Sequence, residues 1–322
     1  MMEIYGTLGP ACAQGAILEQ MFRCGMTGLR LNLSHTSLEE SAPLLEQMHL
    51  AAERCGVRPQ LLIDLQGPEL RVGKQGLPLL LEEGVRLPLR RLALPEHLYA
   101  ALQPETELLL DDGRLCVRVL PAGEGLVLRG GTLAPGKSVA VPGLCAALPA
   151  LTAADRKNLS LASAFGVTGV MQSFVRSRED VEEVRTALCG TGLRHFAKLE
   201  NRAGLDSLEQ WIRLPDVLVI ARGDLGNAVP LWELPGVQKR VAARARQAGK
   251  PFLVVTQMLA SMERTAVPTR AEVSDIFNAV LDGASALMLT GETAAGRYPA
   301  EAMDYFCRTI RAAETFLREE RN

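Results

Sequence analysis

The chain has 322 residues, 48% of them hydrophobic, and 35 basic against 37 acidic side chains leave a formal charge of −2. That length suits one large α/β barrel or two to three ordinary domains, with enough apolar residues for a sizeable core. Dispersed, balanced charge without a basic run or an aromatic stacking platform argues against nucleic acid as a partner and for small molecules or other subunits.

The first residues, MMEIYGTLGP, lack a basic region followed by an apolar stretch and do not read as a signal peptide. No apolar run approaches the roughly 18 residues a membrane helix needs. Cysteines at 12, 24, 55, 116, 145, 189 and 307 form no C-x-x-C pair and read as reduced thiols, most of them in the core of a cytoplasmic protein. Histidines at 35, 49, 97 and 195 have no metal-ligand spacing with them.

In chain order, eight short apolar runs recur: EIYGTLG (3–9), GLRLNLS (28–34), QLLIDLQG (60–67), VTGVMQSFV (167–175), HFAKLE (195–200), DVLVIARGD (216–224), FLVVTQ (252–257) and SALMLTGE (285–292). Amphipathic stretches such as GAILEQMFRCG, SLEESAPLLEQMHLAAERCG and VPLWELPGVQKRVAARARQAG separate them, and PAEAMDYFCRTIRAAETFLREERN follows the eighth. Ser37 with Glu40, Ser177 with Asp180 and Thr269 with Glu272 have capping spacing, and Gly25, Gly56 and Gly249 read as helix stops. Strict alternation of strand and helix predicts parallel strands closed into a TIM-type (β/α)8 barrel. An open doubly wound sheet is the alternative; GTLGPACAQG lacks the dinucleotide-loop spacing that it would carry.

Residues 73–148 break the rhythm. ELLLDDGRLCVRVL, EGLVLRGG and KSVAVPG are short alternating runs, with Asp112-Gly113 as a hairpin turn. The expected division is a barrel of residues 1–72 and 149–322 with a small β-rich domain of 73–148 inserted after the third strand. That insertion point is the face where barrels carry chemistry, so the insert is expected to act as a lid.

Polar residues gather at the C-terminal ends of the runs. Arg30, Asn32 and Ser34 alternate with leucines; Asp64 ends run three; Lys198 and Glu200 end run five; Arg222, Gly223 and Asp224 end run six; Thr256 ends run seven; Thr290 and Glu292 end run eight. A strand turns residues two apart to one side, so Lys198 and Glu200 share a face, either as a structural ion pair or as half of an active site. Taken singly, Asp224 reads equally as a helix cap, Asp111 and Asp112 as turn residues, and Thr256 as an ordinary strand residue. Together, so many charges at one barrel mouth would be costly without partners. Glu200 and Asp224 are hard oxygen donors suited to Mg²⁺ or Mn²⁺. Arg30 and Lys198 suit a phosphate or a developing enolate. Gly223 allows close backbone approach, and Thr256 offers a hydroxyl for a proton relay. The inventory points to a phosphorylated or carboxylated small acid.

KLEN, ARGDLG, TQMLASM, PTRAEVSDIFNAVLDGASALMLTGETAAGRYPAEA, LRLNLSH and IDLQGPELR resemble pyruvate kinase in order and spacing, from the first residues to about residue 310. The resemblance implies phosphoryl transfer from phosphoenolpyruvate to ADP, giving pyruvate and ATP. It implies that Lys198 steadies the phosphoryl group and enolate, that Arg30 grips the phosphoryl group, and that Glu200 and Asp224 hold the divalent metal. Backbone from Ala221 through Arg222 and Gly223 to Asp224 would hold the carboxylate, and Thr256 would serve protonation. Asn32, Ser34, Asp64 and the Leu65 carbonyl match the family's K⁺ site. Asn32, His35, Arg71 and Lys137 match nucleotide contacts. On this reading Lys198 and Glu200 serve the phosphate and the metal rather than each other. Glu69 stands where potassium-independent members tend to carry Lys, which implies stimulation by K⁺.

The chain departs from the family pattern at Gln66, Ala140, Ala203 and NAVP after GDLG, differences that bear on the lid and the nucleotide. The usual C-terminal effector domain is expected to be absent. Metal-dependent enolate chemistry without ADP, and a non-catalytic ligand-binding homologue, are the alternatives. A homo-oligomer, dimer or tetramer, pairing through helices near strands six to eight is also expected.

Overall fold

The computed structural model describes residues 2–34, 36–73, 75–111, 113–141 and 149–320; His35, Asp112 and Cys145, singled out above, lie outside the described residues. The chain opens with β1 (Glu3–Thr7), α1 (Gly15–Cys24), β2 (Gly28–Asn32), α2 (Ala42–Arg54) and β3 (Gln60–Asp64). Short strands follow: β4 (Leu70–Arg71), β5 (Leu79–Leu81), β6 (Arg86–Pro88), then helix α3 (Glu96–Tyr99), β7 (Glu107–Leu110), β8 (Leu115–Val119), β9 (Glu124–Arg129), β10 (Gly131–Leu133) and β11 (Ser138–Ala140). The alternation then resumes with α4 (Ala153–Leu161), β12 (Gly169–Gln172), α5 (Arg178–Leu188), β13 (Arg194–Leu199), α6 (Arg202–Asp206), α7 (Leu208–Trp211) and β14 (Val217–Ala221). It ends with α8 (Arg222–Ala228), α9 (Leu234–Gln247), β15 (Phe252–Val255), α10 (Arg270–Leu281), β16 (Ala286–Met288), α11 (Gly291–Ala294) and α12 (Pro299–Glu319).

Among the described residues, eight parallel strands close in the order β1-β16-β15-β14-β13-β12-β3-β2. This is the predicted (β/α)8 barrel, and the open-sheet alternative is excluded by the β1–β16 pairing, Glu3 opposite Ala286. Between β3 and β12 lies an antiparallel sheet, β4-β11-β7-β8-β9-β6, with β10 and β5 paired beside it. That sheet has its own apolar core, including Leu108, Leu110, Val117 and Val127.

Period-two alternation sorts the barrel side chains. Tyr5, Leu62, Met171, Phe196, Val219, Leu253 and Met288 fill the lumen, which is a packed core and not a pore. The opposite faces meet the helices in one larger apolar layer that includes Trp211, Phe252 and Phe306. At the N-terminal mouth, the Tyr5 hydroxyl lies 2.8 Å from a Glu3 carboxylate oxygen and 2.7 Å from the Gln60 amide oxygen, its one proton serving one of them at a time, and Arg194 donates to the same two residues at 2.8 and 2.9 Å.

His195 lies on the helix-facing side of β13 and is buried. Gln172 gives its amide N–H to the Asp180 carbonyl, so its oxygen accepts from His195 Nε2–H at 2.8 Å. Nδ1 has no partner among the described residues.

Thr269 and Glu272 form the reciprocal cap of α10, and Ser177 accepts from Asp180 at the start of α5. Ser37 and Glu40 also exchange bonds, at 2.8 and 3.2 Å, yet α2 begins only at Ala42. Pro43, which has no N–H to give, occupies the first turn where its ring is tolerated and so fixes the later start.

Candidate active site

The site is built where strands end. On β13, Phe196 belongs to the lumen core, so Lys198, two residues on, emerges at the C-terminal mouth, followed by Glu200. Lys198 Nζ lies 3.1 Å from Glu200 Oε1 and 2.9 Å from Asp64 Oδ1. The expectation that Lys198 and Glu200 would not pair is therefore corrected. An ammonium this deeply buried needs counter-charge, and the strand's own geometry puts a carboxylate beside it.

Asp64, at the end of β3, is the hub. Arg30, from the neighbouring β2, donates Nε to Asp64 Oδ2 at 2.8 Å, and its Nη2 makes a second, closer contact with the same oxygen. Two cations and two carboxylates thus balance inside one cluster. Burial alone would raise the Asp64 carboxyl, but Arg30 and Lys198 outweigh it and hold the group below the usual carboxylate range. Burial would likewise depress Lys198, and Asp64 and Glu200 reverse that, leaving its pKa raised. Lys198 is a fixed positive charge at neutral pH.

Glu200 Oε2 accepts from the Phe174 N–H at 2.7 Å, which orients the carboxylate. Glu200 and Asp224, the latter in the first turn of α8, both line a cavity of about 550 Å³ between the barrel mouth and the inserted sheet; Glu69, Ser138, Val139 and Phe174 are also on its wall. That volume is in the range of small-molecule sites. Among the described residues no cluster of three or more His, Cys, Asp or Glu side chains could hold a metal ion. Two hard carboxylates facing one cavity fit a cation such as Mg²⁺, which takes one or two carboxylates and completes its shell with water and substrate oxygens.

Thr256 and Gln257 follow β15 with φ of 81° and 55°. Two consecutive non-glycine residues in the left-handed region cost about 1–3 kcal/mol each and persist only where surroundings hold them. The holder is Arg222. Its guanidinium turns away from the cavity, donates to the Thr256 carbonyl at 2.7 and 3.1 Å and to the Gln257 carbonyl at 3.2 Å, and pairs with Asp275 of α10 at 2.6 Å. A Cβ on Gly223 would come within 3.1 Å of the Thr256 methyl, so the Gly223 backbone and the Thr256 side chain are immediate neighbours.

The family model for the barrel domain of pyruvate kinase matches residues 1–88 and 92–303. The pyruvate kinase of Methylorubrum extorquens AM1 is 39% identical over 328 residues, covering 97% of this chain and 68% of that protein. Those of Aeropyrum pernix and Mycobacterium tuberculosis H37Rv are each 38% identical, covering 95% and 97% of this chain and 69% and 70% of theirs.

The chain belongs to the pyruvate kinase family. Pyruvate kinases are transferases, and this chain matches them across both the barrel and the inserted sheet.

Of the other site residues expected of this pyruvate kinase family member, Asn32 and Leu65 sit beside Asp64 at the mouth, Arg71 is on β4 of the inserted sheet and Lys137 immediately precedes its β11. Asn32 is the register partner of Asp64 and accepts from the Ser34 N–H at 3.0 Å. The Leu65 carbonyl accepts from Ser173 Oγ at 2.6 Å. Arg71 pairs with Glu69 at 2.8 Å and donates to the Gly136 carbonyl. Burial raises the Glu69 carboxyl despite Arg71. Lys137 pairs with Asp111 at 2.7 Å, on the inserted sheet. Glu292 does not face the cavity: it is buried and accepts from the N–H groups of Leu259 and Thr290, tying the ends of β15 and β16 together. His35 lies outside the described residues.

Sequence reasoning missed Ser173, Asp155 and Asp275. Ser173 lies near the end of run four and directly follows β12, where the strand-end rule would have found it; its Oγ also lies 3.2 Å from Asp64 Oδ1. Asp155 caps α4 with Thr152 and accepts from the N–H groups of Gln66 and Gly67 at 2.8 and 3.0 Å, fixing the loop after β3. The Thr152-to-Asp155 spacing was its signal. Asp275 carried none, being one acidic residue on an amphipathic helix.

Proposed function

We propose that the protein transfers the phosphoryl group of phosphoenolpyruvate to ADP, giving pyruvate and ATP. A β-phosphate oxygen of ADP bonds to phosphorus, the bond from phosphorus to the enol oxygen breaks, and the resulting enolate takes a proton at its methylene carbon. The observation that carries this reading is the Arg30–Asp64–Lys198–Glu200 cluster at the mouth of a barrel, with Asp224 across the same cavity.

Arg30 and Lys198 supply positive charge already held in place by Asp64, so little reorganisation is needed as charge develops on the phosphoryl oxygens and the enolate. Glu200 and Asp224 would hold Mg²⁺ or Mn²⁺, which when bound neutralises charge on the phosphate and enol oxygens. The backbone of Ala221, Arg222, Gly223 and Asp224 would seat the substrate carboxylate at the start of α8, with Gly223 permitting close approach. The Thr256 hydroxyl would pass the proton, through a water, to the enolate carbon. Asn32, Ser34, Asp64 and the Leu65 carbonyl would supply an oxygen donor set suited to K⁺. Asn32, His35, Arg71 and Lys137 would meet the nucleotide.

We divide the chain into a barrel, 1–72 and 149–322, and a lid, 73–148, whose sheet begins at Leu70 of β4. Among the described residues no helix is long and apolar enough to cross a membrane; a cytoplasmic glycolytic enzyme, working as a homo-oligomer, is the reading we adopt. The test is a coupled assay with phosphoenolpyruvate, ADP, Mg²⁺ and K⁺. Pyruvate that accumulates only with ADP supports it. Solvent-proton exchange at the methyl of pyruvate without ADP-dependent turnover, or no activity at all, refutes it.

A further inference from the structure

Arg222 stands beside the chemistry and yet its side chain is directed elsewhere. Strand alternation along β14 ends at Ala221, and Arg222 begins α8. Its fork spans two consecutive carbonyls, those of Thr256 and Gln257, while one arm is held by Asp275 of α10 at 2.6 Å. The Gln238 amide oxygen of α9 lies 3.5 Å from the same arm. Only 11% of the Arg222 side chain is exposed. The two carbonyls it grips belong to the two left-handed residues after β15.

We infer that Arg222 and Asp275 are positioning residues that hold the Thr256–Gln257 turn in its left-handed form and thereby aim the Thr256 hydroxyl at the site. A β-branched residue does not keep a φ of 81° unaided. A planar guanidinium donating to both carbonyls fixes the orientation of two successive peptide planes, which an ammonium cannot do from one point. The Asp275 carboxylate sets the rotation of that fork. The clamp also links the start of α8, where Gly223 and Asp224 lie, to the end of β15, so that the proposed carboxylate seat and the proton relay keep a fixed separation.

The inference rests on the role proposed for Thr256, and a double-mutant cycle separates the two. Arg222→Gln, Asp275→Asn and Thr256→Ala are made singly, and each clamp change is combined with Thr256→Ala in the full chain. kcat and KM for phosphoenolpyruvate are measured with ADP, Mg²⁺ and K⁺, and proton exchange at the methyl of pyruvate is followed in deuterated solvent. Arg222→Gln and Asp275→Asn are each expected to lower kcat by roughly ten- to a hundredfold, with a smaller change in KM, and to slow proton exchange by a similar factor. In the Thr256→Ala background the same changes should cost much less, because the hydroxyl they aim is gone. Arg222→Lys should fall between wild type and Arg222→Gln. Should Arg222→Gln fail to fold, the Asp275→Asn cycle decides alone. Clamp and Thr256 effects that multiply independently, or a clamp effect confined to KM, would overturn the inference while leaving Thr256 in its role. A Thr256→Ala enzyme that turns over at the wild-type rate would overturn both.

Discussion

The buried His195 gives the protein a calculable weakness to acid. Burial lowers its pKa from 6.5 to about 4, against the pull of Asp216 and with the help of Arg185. A proton added in the folded state would sit on Nδ1, which has no acceptor there among the described residues, while Nε2–H is already given to Gln172. Because the folded pKa is the lower one, the stabilisation is complete above about pH 6.5 and is lost as pH falls toward about 4. The whole shift corresponds to about 3 kcal/mol, of which about 1 kcal/mol is gone by about pH 5.5 and about 2 kcal/mol or more by about pH 4.5. His195→Gln keeps an N–H donor for Gln172 and does not titrate. Urea unfolding of both proteins, followed by the fluorescence of the fully buried Trp211, measures the difference at each pH. The wild type should lose ground to the variant by those amounts. A difference that stays constant within about 0.5 kcal/mol from about pH 7 to about pH 4.5 would refute the reasoning.

Three further outcomes bear on the site. Lys198→Met should lower kcat by roughly a thousandfold or more, while Mn²⁺ binding, read by electron paramagnetic resonance, stays near normal because Glu200 and Asp224 remain; a near-normal rate would show that the charge is not used. Asp64→Asn leaves Arg30 and Lys198 buried without their shared counter-charge and should cost about 3–5 kcal/mol of stability, seen as a lower denaturant midpoint with little change in slope; an unchanged midpoint would mean that water reaches the cluster. K⁺ should stimulate turnover, and Glu69→Lys should reduce that dependence by placing a cation beside the site; equal rates with and without K⁺ in Na⁺-free buffer count against the reading.

The barrel was legible because its strands announce themselves locally. Each apolar run in the sequence carries a barrel strand, and the polar residues at their ends identify the mouth. Lys198 and Glu200 needed only the two-residue period of a strand. Arg222 was harder: alternation stops where α8 begins, so a rule for strands says nothing about which way its side chain turns. The inserted sheet was visible as β-rich but its order was not. Strands such as β4 and β11 are two and three residues long, and partners that short are chosen by packing rather than by pattern. Asp155 and Ser173 act on backbone groups brought near by β3 and β12, which pair across the whole insertion.

The ring closure at β1 and β16 also sets an order of assembly. Glu3 must wait for Ala286, nearly the length of the chain away, and β3 must wait for β12 beyond the inserted sheet. The lid sheet needs no such wait, since its farthest pairing joins Leu70 and Val139. Loop-closure entropy makes distant pairings slow, and domains form in the order in which their contacts leave the ribosome. The lid is thus able to fold before the mouth exists for it to cover, and although Arg30 and Asp64 meet as soon as β2 pairs with β3, Lys198 joins them only when β13 docks, after the whole insertion has been made.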